Sequence, residues 1–324
     1  MVAGDALRIV FFGTPEFAVP TLDALLASRH RVVGAVTQPD RPRGRGHRTS
    51  DAPVKSRALA AGLPILQPDR LKDPGFLDAL AAFHADLGVV AAYGRILTDA
   101  VLATPRLGLI NVHASLLPRY RGAAPVHRAV IAGERETGVT IMRVVKALDA
   151  GPMLATARRP IGPEETSDEV ERDLARIGAA LLLASTDDLA LGRATETPQD
   201  EAAATYAPRL TKDDGAIDWK QPADRIHDLV RGLHPWPHAF TFFRGARLIL
   251  RASSSSPVSD TSDTSDTTEP GTIVEAAGDR LIVATGNGTL HVREIQAEGK
   301  RPMTVRDFLP GHRLTRGDRF TAAP

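Results

Sequence analysis

Asn111 and His113 stand two residues apart at the end of an apolar run, Leu107–Val112, that reads as a strand. Side chains at that spacing leave a strand on one face. An isolated Asn-x-His would read as a strand end satisfied by backbone. Here Ala114-Ser115-Leu116-Leu117-Pro118 follows at once and sets apolar floor beside the polar groups, as a small-molecule site requires. Downstream, Leu148-Asp149-Ala150-Gly151-Pro152 puts one acid into a turn of small residues. The three polar groups suit acyl-type transfer to an amine. Such a reaction builds negative charge on a carbonyl oxygen and needs a proton removed from the attacking nitrogen. Asn111 can donate its amide N–H to the oxygen, His113 can stabilise the same oxygen or move the proton, and Asp149 can orient His113 and accept protons. The amine attacks directly, so no covalent nucleophile is called for. The chain has no cysteine and no Gly-x-Ser-x-Gly elbow.

These residues need a scaffold, and the first half supplies one. Apolar runs at Leu7–Phe12, Arg31–Thr37, Leu63–Leu66, Asp86–Ala92 and Leu107–Val112 alternate with helical patterns, among them 54–61 and 76–83. That alternation predicts an α/β domain with a mostly parallel sheet, whose ligands gather at the carboxyl ends of its strands. Gly13-Thr14-Pro15 lacks the G-x-G-x-x-G spacing, and Pro15 removes an amide, which argues against hydride transfer. Strands at 138–145 and 153–159 surround the Asp149 turn. A long helix follows, with a capping box at Thr166 and Glu169. We place a first domain at residues 1–191, a polar linker at 192–207 and a second domain at 208–324. Five short strands and the Gly286-Asn287-Gly288 turn predict a small β-barrel there. Residues 253–269, rich in Ser, Asp and Thr, are expected to be a disordered insert.

At 324 residues the chain has room for two domains, and 43% hydrophobic against 24% charged residues is ordinary globular composition. No apolar run suits a membrane helix, Met1–Phe12 does not resemble a secretory signal, and no metal site is expected. A cytoplasmic monomer is the expectation. The net charge of +1 conceals two basic segments. Residues 41–57 carry Arg41, Arg43, Arg45, Arg48, Lys55 and Arg57 against Asp51, and residues 299–319 carry six cations against two acids. Together they suggest a polyanionic partner.

Beyond these readings, FFGTPEFAVPTLDALL, TQPDRPRGRG, LINVHASLLPRYRGAAP, TGVTIM followed by LDAG, TYAPRLTKDDGAIDW and HPWPHAF make the chain resemble the methionyl-tRNA formyltransferases from Leu7 to about Phe240. The resemblance implies a Rossmann-like formyltransferase domain followed by an oligonucleotide-binding (OB-fold-like) barrel. It implies 10-formyltetrahydrofolate as formyl donor and initiator methionyl-tRNA as acceptor. By match, Asn111, His113 and Asp149 fall on the catalytic trio and Ser115, Leu116, Leu117 and Pro118 on the folate-binding turn. Arg45, with Arg41, Arg43 and Arg48, falls on the loop that meets the acceptor stem. The chain departs from the family at Pro152, where an aspartate is usual, at His47-Arg48, where lysines are common, and in its Ser/Asp/Thr insert. Rival acceptors are a sugar-nucleotide amine, glycinamide ribonucleotide, or water in a formyltetrahydrofolate hydrolase. A glycinamide ribonucleotide enzyme would normally end near the long helix.

Overall fold

The run Arg8–Gly13 is buried from Ile9 onward and Leu87–Ala91 is buried throughout, as strands covered on both faces must be. The computed structural model describes residues 6–40, 42–43, 48–49, 51–256 and 268–324. Within them the chain forms two compact units. The first comprises the chain to Pro125, Glu136–Arg159 and Glu171–Pro208; the second comprises Val126–Arg135, Pro160–Val170 and Arg209–Pro324. The division therefore differs from a boundary at one point in the sequence, because two internal segments join the second unit.

The first unit is built on a seven-stranded sheet in the order Met153–Pro160, Glu136–Arg143, Leu109–His113, Leu87–Ala91, Arg8–Gly13, Arg31–Val36 and Ile65–Leu66. The last five run parallel, while Glu136–Arg143 lies antiparallel to Leu109–His113. Parallel strands bring their carboxyl ends to one edge, so Gly13, Val36, Ala91 and His113 all finish there. Val10, Phe12, Val36, Leu80, Tyr93 and Leu109 pack one side of the core. The helix Ser167–Ala190 starts at the expected capping box: Thr166 N–H donates to Glu169 Oε2 at 2.8 Å.

The segment expected to be a linker is ordered structure of the first unit. Tyr206–Ala207 pairs in parallel with Arg121–Gly122, Arg121 N–H donates to Thr205 O at 2.8 Å, and Met153 bridges Thr197. Gln199 and Glu201 hydrogen-bond to Arg121, and Thr205 Oγ1 accepts from Tyr120 N–H, contacts that composition alone does not reveal.

The second unit holds an antiparallel sheet in the order Ala239–Phe243, Ala246–Ser256, Thr289–Ala297, Arg280–Ala284 and Ile273–Ala277, with Met303–Thr304 added beside Thr289–Ala297. The stretch 317–321 bonds to both outer strands of this path: Phe242 and Thr321 exchange two bonds of 2.9 Å, and Ile273 N–H reaches Asp318 O at 2.8 Å. That stitching closes the sheet, as a barrel requires. One expectation is corrected. Ser253–Ser256 belong to the strand, in register with Val292 to Thr289, and buried Ser253 also meets His227 Nδ1 through its hydroxyl at 3.2 Å. Four serines show no apolar period, yet the ladder and a buried imidazole satisfy them. Residues 257–267 of the expected insert lie outside the described residues.

A pH dependence is built into this unit. His238 is pushed down to about 4, first by burial and then by Arg251, whose Nη1 donates to its Nε2 at 2.8 Å. Burial and Arg251 shift His234 the same way. A histidine whose folded pKa is depressed supports the fold fully above its unfolded value near 6.5 and loses that support as pH falls toward about 4. Melting temperature should therefore fall between pH 6.5 and 4, before most carboxylates protonate. His238→Asn, which keeps a residue tolerant of the positive φ of 69° there, should flatten the slope. An unchanged slope in a calorimetric pH series would assign the effect elsewhere.

Candidate active site

Asn111 and His113 emerge on one face of Leu109–His113, as their spacing predicts. Asn111 is half-buried, and its carboxamide makes no hydrogen bond among the described residues. His113 is 5% exposed. Its Nε2 lies 3.0 Å from Tyr120 O, a carbonyl that can only accept, so Nε2 carries a proton. The other nitrogen, Nδ1, faces Asp149 Oδ2 at 3.7 Å. That is close for charges and long for a hydrogen bond. Asp149 arrives from the antiparallel neighbour: Thr140 of Glu136–Arg143 stands opposite His113, and the chain turns back at Asp149. Gly122 N–H donates to Asp149 Oδ2 at 2.8 Å.

The turn after His113 is braced internally. Ser115 is fully buried, its hydroxyl donates to Arg119 O at 2.7 Å, and its carbonyl accepts from Thr140 Oγ1 at 2.8 Å. The Ser115 hydroxyl thus shapes the turn. Leu117 is buried, and Leu116 and Pro118 remain half-buried.

Sequence reasoning passed over three exposed apolar residues in loops: Ile96 follows the carboxyl end of Leu87–Ala91, and Val145 and Leu148 lie between Glu136–Arg143 and Asp149. Ile96 is 78% exposed, and Val145 and Leu148 are exposed as well. Ile96 is held out by a fixed loop: Tyr93 O accepts from Gln38 Nε2 at 2.8 Å, and Arg95 donates to Pro68 O and Asp69 O at 2.7 and 2.8 Å. Lys146 Nζ meets Asp99 Oδ2 at 3.0 Å, joining the neighbourhood of the two loops. Apolar side chains fixed in an exposed position suit a flat, partly apolar ligand. Single apolar residues in loops carry no periodic signal, so only their exposure reveals them.

The basic loop departs from the same edge, after Val36. Pro42–Arg43 and Arg48–Thr49 pair as a short antiparallel ladder, while Arg41 and Arg45 lie outside the described residues. Among the described residues no three His, Asp or Glu side chains gather as a metal site.

Comparison with known proteins bears on this arrangement directly. Residues 7–186 match the formyl transferase family model and residues 209–313 match the formyl transferase C-terminal domain. The methionyl-tRNA formyltransferase of Moorella thermoacetica is 46% identical over 312 residues, 96% of this chain and 98% of that protein. The enzyme of the same name from Roseiflexus castenholzii is 48% identical over 318 residues, 97% of this chain and 99% of that one. The chain belongs to the methionyl-tRNA formyltransferase family. Among solved structures, an N-formyltransferase from Helicobacter canadensis, in complex with folinic acid and dTDP-3-aminofucose, shares the fold with a TM-score of 0.68 at 14% identity, covering 90% of this chain and 99% of that one. HypX from Aquifex aeolicus in complex with tetrahydrofolic acid has a TM-score of 0.60 at 15% identity, covering 94% of this chain and 47% of that one. The formyltransferase fold, a mostly parallel sheet with an antiparallel C-terminal unit, agrees with the sequence-based expectation.

Proposed function

We propose that this chain transfers the formyl group of 10-formyltetrahydrofolate to the free amino group of methionyl initiator tRNA, giving N-formylmethionyl-tRNA. The observation that carries the reading is the approach of His113 to Asp149 beside the Asn111 amide, which makes no hydrogen bond among the described residues, in a chain of this family. The amine nitrogen attacks the formyl carbon, and the carbonyl electrons move onto oxygen. Asn111 donates its N–H to that oxygen. His113 presents its Asp149-facing edge to the same centre, and Asp149 takes the amine proton directly or through water. The carbonyl re-forms as the bond to N10 of the folate breaks, and N10 leaves with a proton. Ile96, Val145, Leu148 and the half-buried Leu116 and Pro118 offer apolar surface to the folate rings, with Ser115 and Leu117 holding the turn beneath them. No helix among the described residues is long and apolar enough to cross a membrane. We place the reaction in the cytoplasm, where charged initiator tRNA is made, and read the working unit as a monomer, which gel filtration checks.

A formyl-transfer assay comparing methionyl initiator tRNA, a sugar-nucleotide amine, glycinamide ribonucleotide and water as acceptors tests the reading. Transfer to tRNA is expected to dominate, and a preference for any other acceptor overturns it. Arg41, Arg43, Arg45 and Arg48 are assigned to the tRNA phosphates and base edges. Arg45→Ala should raise KM for the charged tRNA by about fivefold or more, and reduce the salt dependence of binding by about one unit of slope or less. The folate dissociation constant should stay put. Unaltered tRNA kinetics and salt slope would remove this loop from the interface.

A further inference from the structure

Asp149 occupies a left-handed conformation with φ of 47°. A non-glycine residue sits there only when its surroundings hold it. The holder is Gln199, in the segment that reads as a linker. Its Nε2 donates to Asp149 O and to Gly151 O, both at 2.8 Å. Its Oε1 accepts from Arg121 Nε at 3.0 Å and from Arg121 Nη2 at 2.7 Å. Arg121 is 2% exposed and turns the rest of its fork to Glu201, with Nη2 on Oε1 at 2.7 Å and Nη1 on Oε2 at 2.9 Å. The residue after Arg121 is Gly122, the donor to the Asp149 carboxylate. Backbone and side chain of Asp149 are thus fixed from one clasp. Both N–H groups and the carbonyl oxygen of the Gln199 amide are engaged. A carboxylate would lack the donors, a cation would lack the acceptor, and asparagine is one methylene shorter.

We propose that Gln199 is a positioning residue for the reaction: through the carbonyls of Asp149 and Gly151 it fixes the turn that aims the Asp149 carboxylate at His113. Arg121 and Glu201 hold Gln199 in turn. Without the two N–H donors the turn can relax out of the left-handed region and swing the carboxylate away from Gly122 and His113. The inference rests on the reading of Asp149 as proton acceptor, and the test separates the two.

Gln199→Glu keeps the shape and the acceptor for Arg121 but removes both donors and sets an anion against two carbonyls. It should lower kcat by about tenfold to a hundredfold, the usual scale for misplacing a reacting group. KM for methionyl-tRNA and the dissociation constant for tetrahydrofolate should stay within about twofold, because the loss is confined to the transition state. Combined with Asp149→Asn, the glutamate should add little further loss, since the two act as one unit. Normal turnover in Gln199→Glu with an inactive Asp149→Asn would overturn the positioning role alone. Parallel loss of tetrahydrofolate binding and melting temperature, or losses that multiply in the double variant, would make Gln199 a brace of the fold and also overturn it. Full activity in Asp149→Asn would instead remove the reading on which the inference stands.

Discussion

Replacing His113 by alanine is expected to lower kcat for formyl transfer by about a hundredfold or more, the usual scale for losing an oxyanion donor or proton-transfer group. The mechanism behind the number is local. His113 is buried, pinned to Tyr120 O through Nε2, and turns Nδ1 toward Asp149. Alanine removes both the ring that faces the reacting centre and the partner of the carboxylate. Asn111→Ala should fall in the same range, since its amide is the donor assigned to the developing oxyanion. Tetrahydrofolate binding should change little in either variant, because the Ser115–Thr140 brace does not involve these side chains. Pre-steady-state transfer of labelled formyl to methionyl-tRNA separates the chemical step from product release. A near-normal rate for either variant would take that residue out of the mechanism.

The second large effect should come from a single methyl group. A Cβ built on Gly151 collides with the carbonyl oxygen of Arg143, a backbone atom that has no rotamer to escape into. Arg143 also donates its N–H to Pro152 O at 2.9 Å, so strand and turn are bonded where they are most crowded. Gly151→Ala must push the turn away on the order of 1 Å, and a displacement of that size can cost about a hundredfold in turnover. Overpacking of this kind also destabilises by roughly 1–3 kcal/mol. The expected signature is a deep loss of kcat with a modest drop in melting temperature. Wild-type kcat in Gly151→Ala would show that the turn tolerates displacement and that the placement of Asp149 is not critical.

How much of this was legible in the sequence differs from residue to residue for physical reasons. The central strands Arg8–Gly13, Leu87–Ala91 and Leu109–His113 are largely buried, so each reads as a short apolar run whatever surrounds it. Asn111 and His113 declare themselves by type and spacing, because the period of a strand places them on one face. The approach of Asp149 to His113 could not be read that way. The two lie 36 residues apart, and only the antiparallel strand Glu136–Arg143 brings the turn back. Gln199 was hidden for the opposite reason. A glutamine among Thr, Asp and Glu looks solvated, and its role exists only once Tyr206–Ala207 has paired with Arg121–Gly122. Ser253–Ser256 looked disordered on the same grounds, since a ladder partner leaves no mark on the strand that receives it.

The interleaving of the two units bears on how such proteins can be inherited and recombined. The chain passes from one unit to the other five times, after Pro125, Arg135, Arg159, Val170 and Pro208. A crossover at residue 208, where composition invites one, would bring in a new Gly232 while keeping the old residues that depend on it. The Gly232 carbonyl accepts from Ser167 Oγ at 2.6 Å and pairs with His127 Nδ1 at 2.8 Å, and the glycine fits against Ile131 with no room for a side chain. Those three residues lie upstream of the cut, so exchanging the C-terminal part between homologues separates residues that touch in this fold. Residues 126–135 and 160–170 would have to travel with it. Gene fusions that leave the order of segments intact keep these contacts together.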